Sequence, residues 1–174
     1  MALLPSVGGA PVVESEVTLE REGLRRELLA DPQSLRTLGT ELRADPPKHL
    51  AGLIWFRLPL AGDRRAWPLV TLQAVLHQRA LRSELQVTVQ AQGDLYELRL
   101  VNQGNVSGAW PQHVAIAGTA CEAGDGVQGY RLQRSADELE FVRQQPGQLA
   151  AGQSRALGWL RCSQLDQGGF RVTP

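Results

Sequence analysis

Two architectures in series are predicted: an incomplete α/β segment over residues 1–82, then an antiparallel immunoglobulin-like β-sandwich over residues 83–174. Three observations carry the prediction. Strand-like and helix-like runs alternate through residues 10–80, the rhythm of helices packed on a parallel sheet. From about Ser83 the apolar residues switch to period two. Turn residues then recur at short intervals, as they do between sandwich strands.

In the first segment, Pro11–Val17 is a short β-branched run read as a strand. Thr18 offers an N-cap, with Glu20 and Glu22 where the helix dipole favours anions, and Leu24, Leu28 and Leu29 follow at helical spacing. Asp31-Pro32 pairs an N-cap with proline at the first helical position and opens a helix through Leu35, Leu38 and Leu42. Asp45-Pro46-Pro47 ends it. The run Leu53–Leu60 is nearly continuous in apolar residues, as a strand buried on both faces is. Asp63 is read as the cap of a further helix carrying Trp67, Leu69, Val70, Leu72, Val75 and Leu76, with Pro68 in its first turn.

In the second segment, alternation places strands at Leu85–Val89, Tyr96–Leu100, Val114–Ile116, Tyr130–Leu132, Leu139–Phe141 and Leu157–Trp159. Turns are expected at Gln92-Gly93-Asp94, Asn102–Asn105, Gly124-Asp125-Gly126, Pro146-Gly147 and Gly168-Gly169. Trp159, in phase with Leu157, is read as core. Trp110, before Pro111, is either an exposed contact or a plug over the core. Two strands and their helices do not close a parallel sheet, because open ladder edges and bare apolar faces remain. Residues 1–82 are therefore expected to be the last part of a larger α/β domain, the chain being either a fragment or buried against a partner chain.

Composition narrows the function classes. Eighteen basic and eighteen acidic residues cancel, which excludes a broad basic footprint for nucleic acid. No run approaches the ~20 apolar residues of a membrane helix, and Met1–Pro5 has no basic leader region. Taken literally, the chain is cytoplasmic. Cys121 and Cys162 match neither a zinc site nor a CxxC pair. They are expected to lie close together, as a disulfide in an oxidising compartment or as two thiols in a reducing one. His49, His77 and His113 fall in separate elements, so no metal site is expected, and no cofactor motif is complete. Gly124–Gly129 fits GxGxxG, but the strand-like Tyr130–Gln133 follows where a dinucleotide loop needs a helix.

Val7–Glu16, Ile54–Pro59 with Asp63–Trp67, and the closing Leu157–Cys162 together resemble the C-terminal part of the bacterial DUF3142 proteins. The resemblance implies a glycoside-hydrolase-like (βα)-barrel followed by a small β domain, with export or lipid anchoring. On that reading Pro11–Val17 and Leu53–Leu60 are late barrel strands. Chemistry in barrels sits at the C-terminal ends of strands, where Glu14 and Glu16 fall. Two carboxylates are what glycoside hydrolysis needs, although same-face neighbours on one strand stand roughly 6.5–7 Å apart and catalytic pairs more often come from different strands. Glu14 and Glu16 are the candidate catalytic residues; Trp55, Arg57 and Asp63 are the candidate substrate-binding residues.

A structural alternative stands beside this. Arg57, if it points into a barrel, needs a charge partner, and Glu14 or Glu16 is the natural one under a core tryptophan. The function expected is thus the tail of an exported, glycan-related protein whose β domain is accessory and non-catalytic. The alternative is a self-contained module that docks a partner through its α/β edge. Carbohydrate and the missing barrel or a partner chain are the expected partners.

Overall fold

The computed structural model describes residues 3–4, 12–13, 30–55, 58–59, 63, 66–117, 120–135, 138–166 and 168–173. The fold is β-rich, with two short helices, and every strand pair among these residues is antiparallel. The expected parallel sheet is not found among them. In the Pro11–Val17 run, Val12–Val13 (β2) is a strand, paired antiparallel with Leu3–Leu4 (β1). Residues 14–29, including the helix expected after Thr18, lie outside the described residues.

The helix expected after Asp31 is α1, Pro32–Ala44. Asp31 caps it, its carboxylate accepting from the Ser34 amide at 2.7 Å, and that bond holds the Asp31 carboxyl below its ordinary pKa. Residues 53–55 and 58–59, expected as a strand buried on both faces, are neither strand nor buried. Leu53, Ile54 and Leu58 are 50%, 97% and 66% exposed. An apolar run becomes a buried strand only where neighbouring strands offer a ladder, and this one has none among the described residues. The next helix, α2 (Leu69–Leu76), starts after Pro68 as its cap; Asp63 lies five residues upstream and does not cap it. The Trp67 indole donates to the Ala30 carbonyl at 2.9 Å, and the Arg43 guanidinium to the Leu76 carbonyl at 2.7 Å, so the two helices form a hairpin.

The remaining strands are β3 (Leu85–Gln92), β4 (Leu95–Asn102), β5 (Gly108–Ala109), β6 (His113–Ala117), β7 (Cys121–Gly126), β8 (Tyr130–Arg134), β9 (Glu138–Arg143), β10 (Gln148–Leu149), β11 (Ser154–Cys162) and β12 (Phe170–Thr173). They form two four-stranded sheets, ordered β3-β4-β11-β7 and β12-β6-β9-β8, with β5 and β10 as a small extra pair. Both sheets contribute to one core: Leu98, Leu157, Leu160 and Cys162 from the first, Val114, Ile116, Tyr130, Leu139 and Phe141 from the second. The strands expected from alternation are β3, β4, β6, β8, β9 and β11. Gly124-Asp125-Gly126, expected as a turn, instead closes strand β7, and the chain turns at Gln128-Gly129, both at positive φ, to cross into the second sheet.

Strand β11 decides which way Trp159 points. Its pairing with β4 shifts between Ala156 and Gly158, so that Leu157 and Gly158 are both buried. A bulge of this kind makes one extra residue face inward and resets the alternation after it. Gly158 lies where a side chain would overlap the Phe141 ring and the Asp125 carbonyl, which lets the two sheets approach closely. Beyond the bulge Leu160 and Cys162 are buried, and Trp159 and Arg161 turn to the outer face. Trp159 is therefore not core, contrary to the phase inferred from Leu157.

Candidate functional site

The outer face of β3-β4-β11-β7 carries the richest grouping of recognition chemistry among the described residues. The register aligns Gln90, Glu97, Trp159 and Asp125 in one row across the four strands. Directly opposed side chains in such a row have Cβ atoms about 4.5–5.5 Å apart. Trp159 is half-buried, with an exposed carboxylate on either side, Glu97 on β4 and Asp125 on β7. Around it lies an open depression of about 510 Å³, lined by Leu95, Glu97, Arg99, Val127, Trp159 and Arg161 among others.

The arginines at its rim are held in place. Arg161 pairs with Asp94 of the β3–β4 turn at 3.2 Å, and the Arg99 guanidinium donates to the Ser154 hydroxyl at 2.9 Å. Glu97 and Asp125 accept no hydrogen bond from any described residue, so their oxygens are available to a ligand. Chemically the face offers an aromatic surface, two carboxylate acceptors and two guanidinium donors, one of them already paired with Asp94.

The residues singled out from sequence are distributed elsewhere. Glu14, Glu16 and Arg57 lie outside the described residues. Trp55 is described, and it does not sit on a strand. It lines a small apolar groove of about 170 Å³ with Leu35, Leu38, Leu42, Leu53 and Ile54. Asp63 is half-buried in irregular chain. No group of three or more metal-ligating side chains occurs among the described residues. Cys121 and Cys162 are cross-strand partners on β7 and β11, Cα atoms 3.8 Å apart, joined by a disulfide.

Trp110 is a plug. Its ring stacks under the Arg155 guanidinium at 3.2 Å and lies against Gly147, where a Cβ would come within 2.6 Å of three ring atoms. Its backbone carbonyl accepts from Arg143 at 2.6 Å. Burial beside this cluster lowers the Arg155 pKa and pushes the Tyr130 phenol up to about 12.

Residues 2–61 match a family model, the domain of unknown function DUF3142. Over that stretch the chain is similar to the DUF3142 family. The DUF3142 match ends before the two-sheet domain, and residues 85–163 match a second domain of unknown function, DUF8456. Leu157–Cys162, which resembled the end of a DUF3142 protein, therefore falls within the DUF8456 match. Among curated proteins and among solved structures, nothing matches the chain. The DUF3142 match contains Glu14, Glu16, Trp55 and Arg57, and the Trp159 face lies wholly within the DUF8456 match.

The Trp159 face escaped sequence reasoning because the bulge inverts parity within a single strand. The signal for it is Gly158 between two residues of opposite fate, together with Cys162, whose buried partner fixes the inward parity as even.

Proposed function

We propose that this chain is part of an exported, glycan-related protein in which an immunoglobulin-like β-sandwich serves as a non-catalytic carbohydrate-binding domain. On this reading the DUF3142 segment belongs to a glycoside-hydrolase-like barrel, with Glu14 and Glu16 as its carboxylates and Arg57 and Asp63 beside them. The observation that carries the binding role is the row Glu97–Trp159–Asp125, in which Glu97 and Trp159 line the open depression and Asp125 flanks Trp159 on the other side. Pyranose rings present apolar C–H faces edged by hydroxyls. An aromatic surface takes the former, while free carboxylates and fixed guanidinium groups take the latter. The disulfide supports export, since bridges persist in oxidising compartments.

The test is titration of residues 1–174 with soluble neutral oligosaccharides, followed by the NMR signal of each tryptophan indole. The Trp159 indole is expected to shift on binding. Trp159→Ala is expected to weaken affinity at least about tenfold, a loss of ~1.4 kcal/mol. Trp110→Phe leaves the outer face untouched and serves as the control. An oligosaccharide panel that leaves the Trp159 signal unmoved rejects the reading. No glycosidic bond cleavage is expected from this chain alone.

One observation favours a second reading, in which the helical hairpin docks a protein partner. Helix α1 has no buried residue, and Ile54 is 97% exposed beside the groove. Replacing Ile54 with aspartate should then abolish co-purification of a partner without affecting the tryptophan titration.

A further inference from the structure

We propose that β3 is a self-pairing edge, through which two copies of this chain join their first sheets into one antiparallel eight-stranded sheet. β3 ends its sheet, with β4 on one side and no strand on the other among the described residues. The Gln103 amide bonds the Glu84 carbonyl at 2.8 Å, which sets the phase of the β3–β4 ladder. By alternation the N–H and C=O groups of Leu85, Val87, Val89 and Ala91 point away from β4, an unoccupied row of donors and acceptors.

Exposed edges are normally protected by charge, proline, a bulge or short length. The other three outer strands show such devices. β7 carries Glu122 and Asp125 and a register shift opposite Cys162, β8 carries Arg131 and Arg134, and β12 is a strand of 4 residues holding Arg171. β3 has none of them: eight residues, LQVTVQAQ, with no charge, proline, glycine or register shift.

The occupant follows from the strand's own sequence. Gln86-Val87-Thr88-Val89-Gln90 reads identically in both directions. An antiparallel pair of β3 strands centred on Thr88 places valine opposite valine on the inner face. On the outer face it sets threonine against threonine and glutamine against glutamine. That is the self-complementarity a two-fold interface requires. In this register Val87 faces Val89 of the second copy and Leu85 faces Ala91, so the free backbone groups meet as about eight hydrogen bonds. The two Trp159 residues would then share one face, five strand spacings (about 24 Å) apart across the sheet and four residues (about 13 Å) apart along the strands.

Sedimentation equilibrium of residues 1–174 without any glycan tests the pairing. At about 100 μM the mass should approach twice 19.0 kDa and return to the monomer value on dilution. Thr88→Glu sets like charges opposite each other across the dyad but places the new carboxylate beside Arg99 within the monomer. It should abolish the dimer and leave the melting temperature unchanged at a dilution where the wild type is monomeric. Thr88→Cys should give a disulfide-linked dimer on oxidation. A monomeric wild type at that concentration, a dimer that survives Thr88→Glu, or failure of Thr88→Cys to cross-link overturns the assignment. None of these readouts depends on what the Trp159 face binds.

Discussion

Tyr130 shows how a single side chain ties stability to pH. It is 4% exposed, and its hydroxyl donates to the Pro111 carbonyl at 2.8 Å. Burial disfavours the phenolate and pushes the pKa up to about 12, against the opposing pull of Arg155 and Arg143. The folded value lies above the ordinary ~10, so the contribution is intact below about pH 10 and is lost as pH climbs from there toward 12. Urea midpoints should therefore fall between about pH 10 and 12 in the wild type, and less steeply in Tyr130→Phe. At neutral pH that variant leaves the Pro111 carbonyl unpaired, at a cost of about 1–2 kcal/mol. Equal alkaline slopes in the two proteins would refute this role for Tyr130. The tryptophans show what a sequence reveals at this scale. Trp110 as a plug was one of two readings available from its place before Pro111. The exposure of Trp159 was hidden by one extra residue in the strand.

Among elements, legibility followed the number of neighbours each one needs. Period-two runs in residues 83–174 all found partners within that one segment, near as β3 to β4 or distant as β4 to β11, and alternation sufficed to locate six strands. Leu53–Leu60 had the right composition for a strand, but composition does not supply a ladder. The charge-free edge of β3 was equally visible in the sequence, while its position at the end of a sheet was not.

What joins these elements is also polar. Asn102 is fully buried, and its amide makes four hydrogen bonds. The oxygen accepts from the Glu84 and Gly104 amides at 3.2 and 3.0 Å, and the nitrogen donates to the Val106 and Leu149 carbonyls at 2.9 Å each. One side chain thus fastens the approach to β3, the loop after β4 and strand β10. Nearby, Asn105 accepts from the Arg82 amide and donates to the Ala80 carbonyl, holding the connection from α2. Asn102→Ala strands four backbone groups and should cost about 3–5 kcal/mol in denaturant melts, with faster amide exchange at Glu84 and Gly104. A loss under about 1 kcal/mol would mean water replaces the amide without penalty.

At the scale of the whole molecule, the disulfide and the core act on the same edge. Cys121 and Cys162 tie the outer strand β7 to β11, which runs between β7 and β4, and both sulfurs belong to the core shared by the two sheets. The bridge spans 41 positions of sequence, and the loop it closes contains β8 and β9 of the opposite sheet. Unfolding with the bridge intact therefore leaves the two sheets tethered to each other. In the chain-entropy view, closing a loop of this length is worth about 4 kcal/mol. The double variant Cys121→Ala/Cys162→Ala should lose about that much in urea melts, and wild type under reductant should fall to the same midpoint. The comparison bears on location as well as stability. If oxidised and reduced wild type unfold at the same urea concentration, the fold gains nothing from an oxidising compartment, and the proposal of export loses its physical support.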